Sequence, residues 1–192
     1  MVMDDDRLHG SVPDRAQTAL LVLDMFSNFA FKDGTRAAQL ALPVAKCIAA
    51  LKARLRKRNV PCIYVNDNLG RWRSRFDQVV QCASASRGGR VAALLQPDER
   101  DYCLLKTKHS AFFDTPLDTV LEALGVRRLI LTGTTTPQCI LFTATDAYVR
   151  EYELSVPSDC VVALTPQQQR VALYFLRNIL SARVCRSNLM RA

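Results

Sequence analysis

The sequence predicts an α/β fold: three layers, αβα, around a doubly wound parallel sheet of six strands. Three observations point there. Short apolar runs alternate with longer amphipathic stretches along the chain. Several of the short runs are almost wholly apolar, as strands covered on both faces must be. And 192 residues, 49% of them hydrophobic, supply one sizeable core and not comfortably two.

The elements follow in order. "ALLVLD" (19–24) is a buried-strand pattern. Residues 36–58 have helical periodicity, with Pro43 marking a start or a kink. "PCIYVND" (61–67) is the second strand, and 76–96 reads as helix broken by loops. "DYCLLKT" (101–107) is the third strand. Residues 115–125 form a helix with Thr115 as cap, Pro116 at its first position and Gly125 as stop. "RRLILTG" (127–133) is the fourth strand, followed by a helix to about residue 151. "YELSVPSD" (152–159) is the fifth strand, 165–180 a helix with another Thr-Pro start, and "ARVCRS" (182–187) the sixth strand.

No linker, repeat or low-complexity tract divides the chain, so one domain is expected over 18–192, preceded by an extension, 1–17. The opening "MVMDDDRLHG" is acidic where a secretory leader needs base, and no apolar stretch reaches the roughly 18 residues of a membrane span. A cytoplasmic protein with no membrane partner is expected. The seven cysteines include no CxxC pair and read as reduced, mostly buried thiols. The formal charge is +8, with a basic run "KARLRKR" (52–58) at a helix end and a loop-like "GRWRSRF" (70–76). The first reads as a solvated helix end favoured by the dipole, and nucleic acid is not an expected partner. No G-x-G-x-x-G follows the first strand, there is no P-loop, and two histidines cannot build a multi-histidine metal site. No cofactor and no metal are expected.

Ligands of open α/β sheets sit at the carboxyl ends of the strands. Polar residues there are Asp24, Asn66 to Asn68, Lys106, the stretch "TGTTTPQC" (132–139) and Asp159. Asp24 is either a helix cap or turn residue, or a general base. Lys106 either snorkels outward or is a cation beside a carboxylate and a thiolate. Cys139 is either a small buried hydrophobe or a nucleophile. Thr136 as cap and Pro137 as first helical residue would place its thiol in a helix's first turn, where the dipole lowers a thiol pKa. An activated Cys139 would alkylate faster than the other six thiols.

"ALLVLDMFSNF", "LLKTKHSAFFDTPLDTVLEALGVRRLILTGTTTPQC" and "ILFTATDAYVREYELSVPSDC" resemble the isochorismatase-like cysteine hydrolases over residues 18 to 185. The family pattern is D-M-Q-x-D-F, then K-x-x-x-S-A-F, then G-x-x-T-x-x-C with T-A-x-D-A. The resemblance implies a strand order 3-2-1-4-5-6 and a catalytic Asp, Lys and Cys at Asp24, Lys106 and Cys139. With that order Lys106 starts about 10 Å from strand one, two strands away, and its long stem or a bend must cover the gap. The resemblance further implies attack by Cys139 on a small amide through a thioester. Its oxyanion hole would be the backbone amides of Thr135 and Cys139, beside a cis Thr134–Thr135 bond. A non-proline cis bond costs about 3 kcal/mol and persists only where its surroundings enforce it.

Departures from the pattern matter. D-M-Q-N-D-F is D-M-F-S-N-F here, which alters the loop after Asp24. The Asp-x-His metal set of nicotinamidases in this group is reduced to Asp67 without a histidine. True isochorismatases, which cleave a vinyl ether, tend to lack the cysteine. The resemblance therefore favours cleavage of a C–N bond in a small amide or carbamoyl substrate, by a homo-oligomer (dimer or larger). The rivals are C–O hydrolysis and non-catalytic binding on the same fold. Phe29, Trp72 and Phe112 are candidates to line the pocket or, alternatively, to pack in the core. Arg71 and Arg73 could attract an anionic substrate or simply be solvated.

Overall fold

A computed structural model describes residues 14–190. The acidic opening, His9 and the rest of 1–13 lie outside the described residues. Strand β1 (Thr18–Leu23) is buried at every position. Its odd and even residues face different cores, which is why it cannot alternate apolar with polar. Leu20 and Val22 pack with helices α1 (Gly34–Arg56), α2 (Phe76–Ser84) and α3 (Gly89–Leu95). Ala19, Leu21 and Leu23 pack with α4 (Leu117–Leu124), α5 (Leu141–Val149) and α6 (Pro166–Asn178). Strand β2 (Cys62–Asp67) divides the same way, with Cys62 and Tyr64 on one side and Ile63 and Val65 on the other. Each such Leu, Ile or Val contributes about 1.5–3 kcal/mol by leaving water, so the two faces together commit the chain to three layers.

All strand pairs are parallel. The sheet continues with β3 (Tyr102–Lys106), β4 (Arg128–Thr134), β5 (Glu153–Pro157), β6 (Val161–Val162) and β7 (Arg183–Cys185). The order is β3-β2-β1-β4-β5-β7, with β6 pairing β4 off this path. The six expected strands therefore lie in the expected order, and β6 is an addition. β5 pairs only with the first three residues of β4, Arg128 to Ile130. β6 takes over that edge at Gly133 and Thr134. The split brings residues 162–164 to the carboxyl end of the sheet.

The turn chemistry mostly holds. Gly125 ends α4 at φ 75, and Thr165 caps α6 by accepting from the Gln168 N–H at 3.2 Å. Pro43 lies inside α1 and is not its start. Thr115 accepts from the Leu117 N–H at 3.2 Å, one residue before Pro116 takes the cap position expected of it. Helix ends also absorb much of the basic run: Lys52 and Arg56 pair with Asp101 at 2.5 and 2.7 Å, and Arg54 reaches the Met190 carbonyl at 3.5 Å. Among the described residues, no helix is long and apolar enough to cross a membrane.

Candidate active site

The switch point of the sheet lies between β1 and β4, whose neighbours lead away in opposite directions. A cavity of about 490 Å³ opens there, at the carboxyl ends of the strands. Its lining includes Asp24, Phe29, Lys106, Thr135 and Cys139.

Asp24 follows the last residue of β1 and adopts φ 49, a conformation that Asp tolerates better than most side chains. Its Oδ1 accepts the Asp67 N–H at 2.6 Å, and its carbonyl accepts the Thr134 hydroxyl at 2.8 Å. These bonds tie the ends of β1, β2 and β4 together. Lys106 ends β3 opposite Asp67 in the register. Only 2% of it is exposed, and its Nζ crosses β2 to lie 2.7 Å from Asp24 Oδ2. That ammonium also donates to the Lys108 carbonyl at 2.9 Å and lies 3.6 Å from Cys139 Sγ. Oδ2 itself makes no aligned hydrogen bond.

The Cys139 segment differs from expectation. Thr135 takes the cap position, and Thr136 to Ile140 form a single π-helical turn that runs into α5. Thr136 is no cap: its buried hydroxyl donates to Gln169 Oε1 at 2.7 Å, anchoring the turn to α6. The Thr134–Thr135 peptide bond is cis. Gly133 lies inside β4 at φ 121, and a Cβ there would stand 2.0 Å from the Leu23 carbonyl oxygen. Only glycine lets β4 approach the end of β1 this closely.

The charges in the site push against one another. Burial raises the Asp24 carboxyl pKa, and the Lys106 charge, the neighbouring Cys139 thiol and the Asp67 N–H do not cancel that shift. Burial draws Lys106 down, but Asp24, Cys139 and Asp67 outweigh it and the net shift is upward, so the ammonium stays charged. The Cys139 thiol is pushed up to about 12, first by burial and then by the Asp24 charge, with Lys106 opposing. This reverses the expected effect of the helix start. Burial and the adjacent carboxylate both disfavour the thiolate.

The pocket expectations divide. Phe29 lines the cavity, at φ 51. Trp72 does not: it is 84% exposed, out on the loop before α2. Phe112 does not either, because it is buried in the core under α4, where its ring meets Tyr152 at 6.0 Å and the Arg150 guanidinium at 4.8 Å. Arg71 and Arg73 are exposed and outside the lining. His109, not assigned to the site from the sequence, lines the cavity with Nδ1 3.8 Å from Cys139 Sγ and its ring 5.4 Å from Phe142. Its place three residues after Lys106 was the available signal. Asn66 stands at the rim, as expected; its buried amide accepts from the Phe26 N–H and donates to the Phe26 carbonyl, both at 2.9 Å, and so holds the altered loop.

Comparison with known proteins gives the lineage. The family model described as Isochorismatase domain matches residues 18–187. An uncharacterized isochorismatase family protein of Bacillus subtilis is 37% identical over 170 residues, covering 88% of this chain and 94% of that one. A probable inactive nicotinamidase of Arabidopsis thaliana is 29% identical over 174 residues, covering 84% and 89%. The crystal structure of N-carbamoylsarcosine amidase from Thermoplasma acidophilum superposes with a TM-score of 0.72 at 28% identity, covering 92% of this chain and 100% of that one. Together with the switch-point cavity and the order of the strands around it, these similarities make the chain a member of the isochorismatase family of hydrolases.

Proposed function

We propose that the protein is a cysteine hydrolase that cleaves the C–N bond of a small amide or carbamoyl compound through a thioester. The observation that supports this best is the meeting of Asp24, Lys106 and Cys139 in one cavity, from three separate strand ends, with Lys106 2.7 Å from the carboxylate and 3.6 Å from the sulfur. The Asp24 carboxylate, a stronger base than an ordinary one because burial raises it, takes the thiol proton as Sγ attacks the carbonyl carbon. The C=O electrons move to oxygen, where the backbone amides of Thr135 and Cys139 would receive the charge. The intermediate collapses, the C–N bond breaks, and Asp24 returns the proton to the leaving nitrogen. Water then attacks the thioester, giving the acid and the free thiol. Lys106 keeps one positive charge beside the changing negative ones throughout. An N-carbamoylsarcosine amidase among the similar structures agrees with a C–N substrate.

The test is a panel of small primary amides and carbamoyl compounds beside isochorismate, with intact-mass measurement of the protein during turnover. Amide hydrolysis with a transient acyl adduct, both lost in a folded Cys139→Ala variant, is expected. Normal hydrolysis by that variant refutes the mechanism. Turnover of isochorismate alone points to C–O chemistry, and ligand binding without turnover of any compound points to a binding protein.

A further inference from the structure

The protein as a whole carries a formal charge of +8, yet the described lining of the cavity has the opposite balance. It contains two carboxylates, Asp24 and Asp67, against one lysine, Lys106. That lysine is already committed to Asp24 and the Lys108 carbonyl. No arginine is among the described lining residues. Arg87, beneath the loop, is spent on the Phe29 carbonyl at 3.0 Å.

The remaining wall is mostly apolar, with Phe29, Phe31, Leu40, Leu69, Val162 and Leu164, while His109, Thr134, Thr135 and Gln138 sit on the side of Cys139. The apolar residues come from the loop after β1, from α1, from the turn after β2, and from β6 and the segment after it, so they approach the cavity from several elements. The polar neighbours are mostly occupied. The Asn66 amide is bonded to Phe26, and the Ser27 hydroxyl accepts from the Phe29 N–H at 3.0 Å. A carboxylate moved from water into the apolar part of this wall would lose its hydration, gain no free lysine or arginine and meet Asp67. An uncharged apolar group would lose nothing and bury its surface.

We propose that the cavity selects uncharged amides bearing a compact aliphatic or aromatic group, and rejects amides of the same size that carry a carboxylate. The amide as reactive group rests on the hydrolase reading above; the charge preference rests on the lining alone. It sets this chain apart from any carbamoyl amino acid hydrolase, whose substrate is an anion.

The experiment separates the two claims by reading binding and turnover independently. Matched pairs are used, with an isopropyl group in place of the carboxylate: 4-methylpentanamide against succinamate, and 4-isopropylbenzamide against 4-carbamoylbenzoate. Binding is measured by calorimetry on Cys139→Ala and, as a check on that variant, by competition in the wild-type protein. Turnover is measured on the wild type as ammonia release. The uncharged member of each pair should bind, and where it is cleaved have a kcat/KM, about a hundredfold better than its anion, as expected for one buried unpaired charge. Leu164→Arg, which places a cation in the wall, should narrow that ratio at least tenfold. Equal or tighter binding of the anions, or binding of neither member, overturns the inference. Selective binding of the uncharged members with no ammonia released upholds the inference and removes the hydrolase reading instead.

Discussion

Lys106 Nζ lies 2.7 Å from Asp24 Oδ2 although β2 stands between their strands. The lysine stem crosses that strand's end, and 1% of the lysine side chain and 14% of the aspartate side chain remain exposed. Removing one partner strands the other in a poorly hydrated place. Lys106→Met should therefore lower stability by about 3 kcal/mol in urea denaturation and reduce kcat/KM at least a hundredfold. A fully active variant would deny Lys106 any part in the chemistry.

The pH profile should follow the raised Asp24 carboxyl. On the proposed mechanism its charged form is the base, so kcat/KM should rise with pH along a limb that lies above the ordinary carboxylate value of about 3.9. For stability the sign is opposite. A carboxyl raised in the fold contributes fully below the unfolded value and loses that contribution as pH rises through the folded one. Lys106, also raised, contributes below an ordinary lysine pKa of about 10.4 and loses that as pH climbs through its folded value. In a still measurable Lys106→Gln variant the acid limb should move further up, because a cation that pulled Asp24 down is gone. A limb that stays put or moves down contradicts the assignment.

Alkylation of the free protein should not single out Cys139. Its thiol is 9% exposed and shifted up to about 12, whereas Cys103 is exposed and shifted up to about 11. Iodoacetamide at pH 7.5, followed by peptide mass mapping, should label Cys139 no faster than Cys103. Rapid, selective labelling of Cys139 would mean a resting thiolate and would remove the need for Asp24 as base.

Gly133→Ala tests the closeness of β1 and β4. The added methyl carbon would sit 2.0 Å from the Leu23 carbonyl oxygen, at a φ that side chains rarely adopt. Backbone would have to move, at a cost on the order of 3 kcal/mol or more, and activity should fall because Asp24 follows Leu23 directly. Wild-type stability and activity in this variant would show that the strands separate easily.

Much of this was legible in the sequence, for definite reasons. Strands such as β1 lack alternation because two cores flank them, and that signal survives without any knowledge of neighbours. Asp24 and Lys106 stand at strand ends and Cys139 in the turn that follows β4, where the chain changes direction and polar groups are conspicuous. What stayed hidden depended on packing across the sequence. Nothing local says that Phe112 turns toward Tyr152 and away from the cavity, or that Trp72 stands in solvent. The two-residue β6 is too short to have a pattern of its own and exists because β5 leaves β4 early. The helix start that favours a thiolate is a local feature and legible, whereas the burial beside Asp24 that disfavours one is not.

The Ser110 hydroxyl donates to the Asp146 carboxylate, and the Ala111 N–H donates to the Thr143 hydroxyl at 3.0 Å. None of these four residues lines the cavity. They latch the loop after Lys106 onto α5, the helix that continues from Cys139. "SAF" and "TATDA" therefore are not two independent hallmarks of ancestry but the two halves of one joint. Among descendants of this chain, a change at residue 110 should be inherited with a compensating change at 146, and a lineage altering only one should drift in both.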